Sequence, residues 1–318
     1  MKLKRVCLKG YPCGGTCISV NKRCLVRGIK SQELLKLKEM ITKEKPVDAI
    51  PAGLKVREAS YAKQAIDRMD EALNKVKSSW EKLPDKAQTQ FKNLDDLYAN
   101  ARKAQKGFIS IMNRGTGLDK TLGGVSAVED FAKAEKLMQQ KGPVIIVAGI
   151  KGRERAQEKI ETDYKNKEDP VSHLKDVVRG TVAVDTLDEV ATVLPDVIRA
   201  MEAKNYKLLQ KPKNNFAKPT EAGYRDINMV FVSPDGVPVE LQVNTKAMVQ
   251  AKDDGHDLYD EIRTMDAIAA KNNDLITRQD WEKRRVLIDR SRAIYNQGFQ
   301  KSIPPQPKSK KSKKSKLN

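Results

Sequence analysis

The chain has 318 residues, enough for one or two domains with a substantial core. It carries 61 Lys and Arg against 42 Asp and Glu, a formal charge of +19, which favours a polyanionic partner such as nucleic acid, nucleotide phosphates or an anionic membrane surface. No apolar run reaches the roughly 18 residues that span a bilayer, and no apolar stretch follows the basic N-terminus, so the expectation is a soluble, cytoplasmic protein with no membrane partner and no secretory signal.

All the cysteines, Cys7, Cys13, Cys17 and Cys24, lie in the first 30 residues. A structural Zn²⁺ site, paired disulfides and reduced thiols in a short hairpin all stay open. No CxxC knuckle or nearby histidine marks zinc, and disulfides need an oxidising compartment. Ser31 to Lys43 places Leu34, Leu35, Leu37 and Met40 at helical spacing behind a Ser31 cap. Ala49 to Lys55 reads as a linker, and Glu58 to Lys82 and Asp85 to Lys106 read as long amphipathic helices separated by Leu83-Pro84. The stretch from Gly107 to Gly124 lacks the spacing of a phosphate-cradling loop and is read as an ordinary loop. Ser126 with Glu129 then resembles the start of a capped helix running to Gln140.

From here strands and helices alternate. Strands are expected at Pro143 to Val147, Arg179 to Asp185 and Tyr206 to Leu209; helices are expected from the Gly149 region to Lys165, at Val171 to Val177, and at Leu187 to Lys204 despite Pro195. Asp226 to Ser233 and Val237 to Thr245 flank Pro234-Asp235-Gly236 and form a hairpin. In its second strand Val239, Leu241 and Val243 share one face and Glu240, Gln242 and Asn244 the other. Lys246 to Lys271 and Thr277 to Tyr295 close the region as helices. The stretch Pro304 to Lys316 is too polar to build a core and is expected to be a disordered basic tail. The divisions are a cysteine segment (1–30), a helical region (31–125), an α+β domain with a mixed β-sheet (126–300) and the lysine-rich tail (301–318).

The polar residues of the α+β region suit phosphate chemistry, which needs cations for phosphates, carboxylates for Mg²⁺ and a flat side chain for a base. Lys151, Arg155 and Lys159 are spaced i, i+4, i+8 and are expected on one helix face. Asp176 precedes a strand, Tyr224 opens the hairpin and Glu240 lies on its polar face. Each taken singly is an ordinary surface or cap residue; their conjunction is the signal. A lone His256 reads as a structural hydrogen-bonder.

The order K-x7-K (Lys151 and Lys159), DxxxG (Asp176 to Gly180), GYRDIN (223–228), VELQVNT (239–245) and GHDLY (255–259) resembles the synthetase domain of the RelA/SpoT family of alarmone synthetases, a nucleotidyltransferase-like fold. The resemblance covers roughly residues 144–263 and includes neither the family's hydrolase domain nor its regulatory domains. It implies that Lys151 and Lys159, with Arg155 between them, hold the phosphates of ATP. It implies that Asp176, completed by Arg179 and Gly180, binds Mg²⁺, that Tyr224 stacks on the guanine of the acceptor, and that Glu240 activates the acceptor 3′-hydroxyl and assists the metal beside Gln242. The implied reaction is that of a GTP diphosphokinase, transfer of pyrophosphate from ATP to GTP or GDP. Asn228 stands where the family carries a histidine that helps place a substrate, and Asn244 where it carries an arginine; altered acceptor choice and loss of activity are the two consequences to weigh. The net charge and tail also suit the tRNA 3′ end as acceptor, the chemistry of toxin-like relatives. The competing expectation is a non-catalytic, phage-related structural or binding protein.

Overall fold

The computed structural model describes residues 47–113, 127–129, 131–272 and 275–305, together with three short strands, β1 (Arg5–Cys7), β2 (Tyr11–Cys13) and β3 (Thr16–Ile18). β2 and β3 pair antiparallel. The helix expected at Ser31 to Lys43, the cysteine side chains and the tail from 306 onward lie outside the described residues.

A seven-stranded mixed sheet organises the rest. Its strands are β4 (Ala127–Val128), β5 (Val144–Val147), β6 (Val178–Val184), β7 (Lys207–Leu208), β8 (Lys213–Asn214), β9 (Ile227–Val232) and β10 (Pro238–Thr245). They lie in the order β4-β5-β6-β10-β9-β7, with β8 also on β9. The β4–β5 and β6–β10 pairs are parallel and the other pairs antiparallel. A short β11 (Leu275–Thr277) pairs with β1. The helices are α1 (Val56–Lys75), α2 (Leu94–Asn113), α3 (Phe131–Met138), α4 (Arg153–Asp163), α5 (Leu187–Glu202), α6 (Lys246–Asp254), α7 (His256–Lys271) and α8 (Arg278–Lys301). The fold is α+β around a mixed sheet. No helix among the described residues is long and apolar enough to cross a membrane.

Alternation along β10 sets the two faces of the sheet. Val239, Leu241 and Val243 are fully buried, and α5 packs over β10 and β6. α1 packs on α5, so Ala65, Ile66 and Met69 share one core with Val190, Leu194 and the sheet. Each of the larger of these side chains contributes roughly 1.5–3 kcal/mol by leaving water, and Ala65 less. Thr186, Thr245 and Thr277 accept from the backbone N–H three residues on and start α5, α6 and α8. Between β9 and β10, Gly236 N donates to Ser233 O at 2.8 Å and Gly236 takes φ +79°, the left-handed geometry that the Pro-Asp-Gly turn requires.

Several expected boundaries move for tertiary reasons. α1 stops at Lys75, where Trp80 Nε1 donates back to Leu73 O, and the chain to residue 93 runs along the sheet region, with Thr89 N bonded to Ser172 O. Asn93 accepts from Asp96 N at 2.9 Å and starts α2 later than expected. α2 then continues through Gly107, which the sequence places in a loop. A Cβ there would stand 2.5 Å from the Tyr206 hydroxyl, so the glycine serves close packing within a helix. Residues 127–128 pair with β5 instead of entering a helix behind Ser126, and α3 begins at Phe131. Of the expected 171–177 helix only 171–173 are helical, within a 3₁₀ turn over Pro170–His173; the chain then leaves the helix, and the Val177 carbonyl, in a bend just before β6, accepts from Lys151 N. The closing helix from Lys246 divides at Gly255.

Candidate active site

The first half of the site is built where β5 hands over to α4. Ala148 N donates to Arg179 O and Lys151 N to Val177 O, so residues 148–151 run on beside the entry to β6. Lys151 therefore precedes α4, while Lys159 lies within it. Their ammonium groups nevertheless meet on one atom, Asp176 Oδ2, at 2.6 and 3.0 Å. The single helix face expected for Lys151, Arg155 and Lys159 does not form. Arg155 turns to Glu158 at 3.4 Å and Asp260 at 3.3 Å, part of an ion-pair set with Arg263 that joins α4 to α7.

Asp176 is largely buried, its side chain 15% exposed, and its Oδ1 has no hydrogen-bond partner among the described residues. Burial pushes its carboxyl upward, but Lys159 and Lys151 beside it hold it below the usual carboxylate range. Burial pulls the Lys159 ammonium downward; the charge of Asp176, with contributions from Tyr164 and Glu240, outweighs this and keeps it above the usual lysine value. Lys159 thus stands in the field of both carboxylates that the sequence singles out.

The second half is the polar face of β10. In the sheet register Arg179 lies beside Glu240, and Thr181, Gln242, Asn228 and Lys213 form the next row across four strands. Asn228 Nδ2 donates to Glu240 Oε1 at 2.7 Å. Tyr224 is half-buried; its hydroxyl accepts from Asn244 Nδ2 at 3.1 Å and lies 3.5 Å from Gln242 Oε1. Its ring meets Tyr295 edge-on at 5.4 Å, and the Lys252 ammonium stands 5.4 Å from the ring centroid while donating to Gln242 Oε1 at 3.2 Å. Burial, with Asp226 and Glu240 nearby, holds the Tyr224 phenol well above its ordinary value, so it stays protonated. Arg179 is exposed.

The turn that delivers Tyr224 is anchored from below. Arg225 is fully buried over the Phe299 ring and donates to Gly223 O at 2.6 Å and Asp48 O at 3.1 Å. Asp226 accepts from Asn215 Nδ2 at 2.6 Å through one oxygen, while the other has no partner; burial raises its carboxyl to about 6. Arg284 bridges Glu221 and Asp266.

The structure gathers Lys151, Lys159 and Asp176 into one cluster and Tyr224, Asn228, Glu240 and Gln242 into another, with Lys159 in the field of Glu240. Arg155 and Arg179 stand at the margin. His256 is exposed, with Nε2 3.6 Å from Asp260. Sequence reasoning missed Lys252 and Tyr295, which reach Tyr224 from α6 and α8 through tertiary packing alone. Asn244, noted above for the charge it lacks, is buried and engaged with Tyr224, a site in which an unpaired arginine would be costly.

The lysines that share a buried aspartate, and the strand of carboxylate and amides, are the residues on which the resemblance to the RelA/SpoT synthetase domain rests, and sequence comparison finds similar proteins. The chain is 31% identical over 180 residues, 52% of its own length, to the (p)ppApp synthetase toxin Tas1 of Pseudomonas aeruginosa (strain UCBPP-PA14). It is 30% identical over 124 residues, 39% of its length, to a guanosine-3′,5′-bis(diphosphate) 3′-pyrophosphohydrolase of Vibrio cholerae. It spans only 38% and 17% of these two relatives. Among solved structures, the type VI effector Tas1 with its immunity protein aligns at 24% identity and a TM-score of 0.39, covering 66% of this chain and 98% of that one. Small alarmone synthetase 1 of Bacillus subtilis bound to its product pppGpp aligns at 16% identity and 0.38, covering 60% and 94%. No family model matches.

Proposed function

We propose that the chain is a pyrophosphokinase that transfers the β,γ-pyrophosphate of ATP to the 3′-hydroxyl of a guanine nucleotide, GDP or GTP. The observation that carries this is the convergence of Lys151 and Lys159 on Asp176 next to the Glu240 strand face. In the reaction a bond forms between the acceptor O3′ and the β-phosphorus of ATP, the bond from that phosphorus to the α–β bridging oxygen breaks, and AMP leaves. Lys151 and Lys159 hold the donor phosphates and stabilise charge growing on them. Glu240 takes the proton of the 3′-hydroxyl, and Asn228 fixes the orientation of its carboxylate through Oε1. Tyr224 offers its ring to the purine, which takes the place held by the Lys252 ammonium.

The family implies Mg²⁺. Among the described residues no group of three or more acidic, histidine or cysteine side chains is placed to hold a metal. Mg²⁺ in nucleotide sites needs only one or two carboxylates beside substrate phosphates and water. The unpartnered Asp176 Oδ1 fits that demand, with Glu240 as the second carboxylate. Bound there, the ion would neutralise charge on the transferring phosphates.

Similarity to a (p)ppApp synthetase favours a second reading, in which the acceptor base is adenine. The net charge of +19 favours a third acceptor, the tRNA 3′ end. Incubation with [γ-³²P]ATP, Mg²⁺ and, in turn, GDP, GTP, ADP or tRNA separates them, with AMP release measured in parallel. A labelled guanine nucleotide is expected; label on adenine nucleotide or tRNA reassigns the acceptor, and folded protein that labels nothing refutes the activity.

A further inference from the structure

The loop that carries Lys151 has two edges. On one edge its amides are tied to the β6 region, through Ala148 N to Arg179 O and Lys151 N to Val177 O. On the other edge its carbonyls meet side chains of α2, a helix outside the 144–263 stretch whose motifs carry the resemblance. Gln105 Nε2 donates to Ala148 O at 3.0 Å, and the Tyr98 hydroxyl donates to Lys151 O at 2.6 Å. Tyr98 and Gln105 are seven residues apart, two turns along one helix face. One turn before Tyr98, Asp95 takes Arg153 Nη2 at 2.6 Å, and the Arg153 guanidinium lies 5.8 Å from the Tyr98 ring centroid. The loop from residue 148 to 153 is therefore gripped at both ends by a helix that contributes nothing directly to the phosphate cluster.

Lys151 needs such a grip. It precedes α4, so no helical hydrogen bond fixes its own amide, yet its ammonium must arrive within 2.6 Å of Asp176. A shift of the loop by a fraction of an ångström would separate the lysine from Asp176 and from any phosphate between them.

We infer that Tyr98 and Gln105 are positioning residues for the donor-phosphate site, acting through the backbone of residues 148–151 to place Lys151. The helical region thereby belongs to the functional unit of the synthetase domain. This rests on the reading of Lys151 as a ligand of ATP phosphates.

The test is a double-mutant cycle on the full chain with Y98F, K151A and the pair, read by titration with the fluorescent analogue mant-ATP in Mg²⁺ and by turnover with the acceptor found above. Y98F removes one hydroxyl and keeps the ring under Arg153. It is expected to weaken mant-ATP binding by up to about tenfold, the upper end of what one lost hydrogen bond can cost, while leaving the acceptor KM nearly unchanged and lowering the melting temperature by no more than about 2–4 °C. In the K151A background Y98F should add nothing, because its effect passes through Lys151. Gln105→Leu should repeat the pattern. Additive losses in the double variant, an acceptor KM that rises as much as the ATP KM, or unchanged mant-ATP binding in Y98F would each overturn the inference. If the wild-type chain binds no mant-ATP, the donor-site reading itself fails, a result distinct from wild-type binding that Y98F leaves intact.

Discussion

Asp226 is a carboxylate that the fold holds at a loss, and replacing it by Asn should stabilise the protein in a pH-dependent way. The residue is 1% exposed, its Oδ2 has no partner, and its surviving hydrogen bond comes from a neutral amide, Asn215. Burial lifts its folded-state pKa from 3.8 to about 6, the charge of Glu240 adding to the effect. Between these values the folded protein holds a proton that the unfolded chain has released. This contribution to stability is fully present below pH 3.8 and is lost as pH rises through about 6. At about 1.4 kcal/mol per pH unit, the displacement corresponds to about 3 kcal/mol at pH 7 to 8. D226N carries no charge to desolvate and keeps an oxygen for Asn215. Urea unfolding of both proteins from pH 4 to 8 should therefore give similar stabilities near pH 4 and an advantage for D226N that grows to about 3 kcal/mol above pH 7. A difference that stays constant across this range, or a D226N protein less stable at pH 7.5, would refute the account of Asp226 as a desolvated, largely uncompensated charge.

Glu240→Gln keeps the Asn228 contact but cannot take a proton, so kcat should fall by about 10² to 10⁴, measured by AMP release. Asp176→Asn removes the charge that Lys151 and Lys159 share; ATP-dependent turnover should disappear, and retained turnover would remove Asp176 from the site. Gly180→Ala puts a methyl 2.7 Å from the Phe108 ring and 3.1 Å from Ile146 O, and should cost roughly 1–3 kcal/mol in chemical denaturation. Shortening the ring in Gly180→Ala/Phe108→Leu should return part of that loss. Asn244→Ala frees the Tyr224 hydroxyl and should raise the acceptor KM several-fold while leaving the ATP KM unchanged.

The hairpin, its turn and the assignment of residues to its two faces were legible in the sequence, because strand periodicity and Pro-Asp-Gly chemistry are local properties. So was the order of motifs around Lys151, Asp176, Tyr224 and Glu240. Elements whose ends depend on distant partners were not. The helical reading of 171–177 gave way after residue 173 to a non-helical segment whose Val177 carbonyl receives the Lys151 amide, and α2 ran past its expected end, where Gly107 packs against Tyr206. Helical spacing also misplaced the three basic residues. A period of 3.6 governs only residues inside one helix, and Lys151 stands before α4.

What the sequence determined by itself is therefore the alternation that makes β10 apolar on one side and polar on the other, and the types of side chain offered to a nucleotide. Tertiary structure alone decided which of those side chains meet. Asp176 collects lysines 17 and 25 residues away, Asn228 reaches Glu240 across two strands, and Tyr98 holds the Lys151 carbonyl from 53 residues upstream. Charge and hydrogen bonding act over a few ångströms of space, not along the chain, so these contacts exist only once burial has folded the sheet and α2 onto the same core.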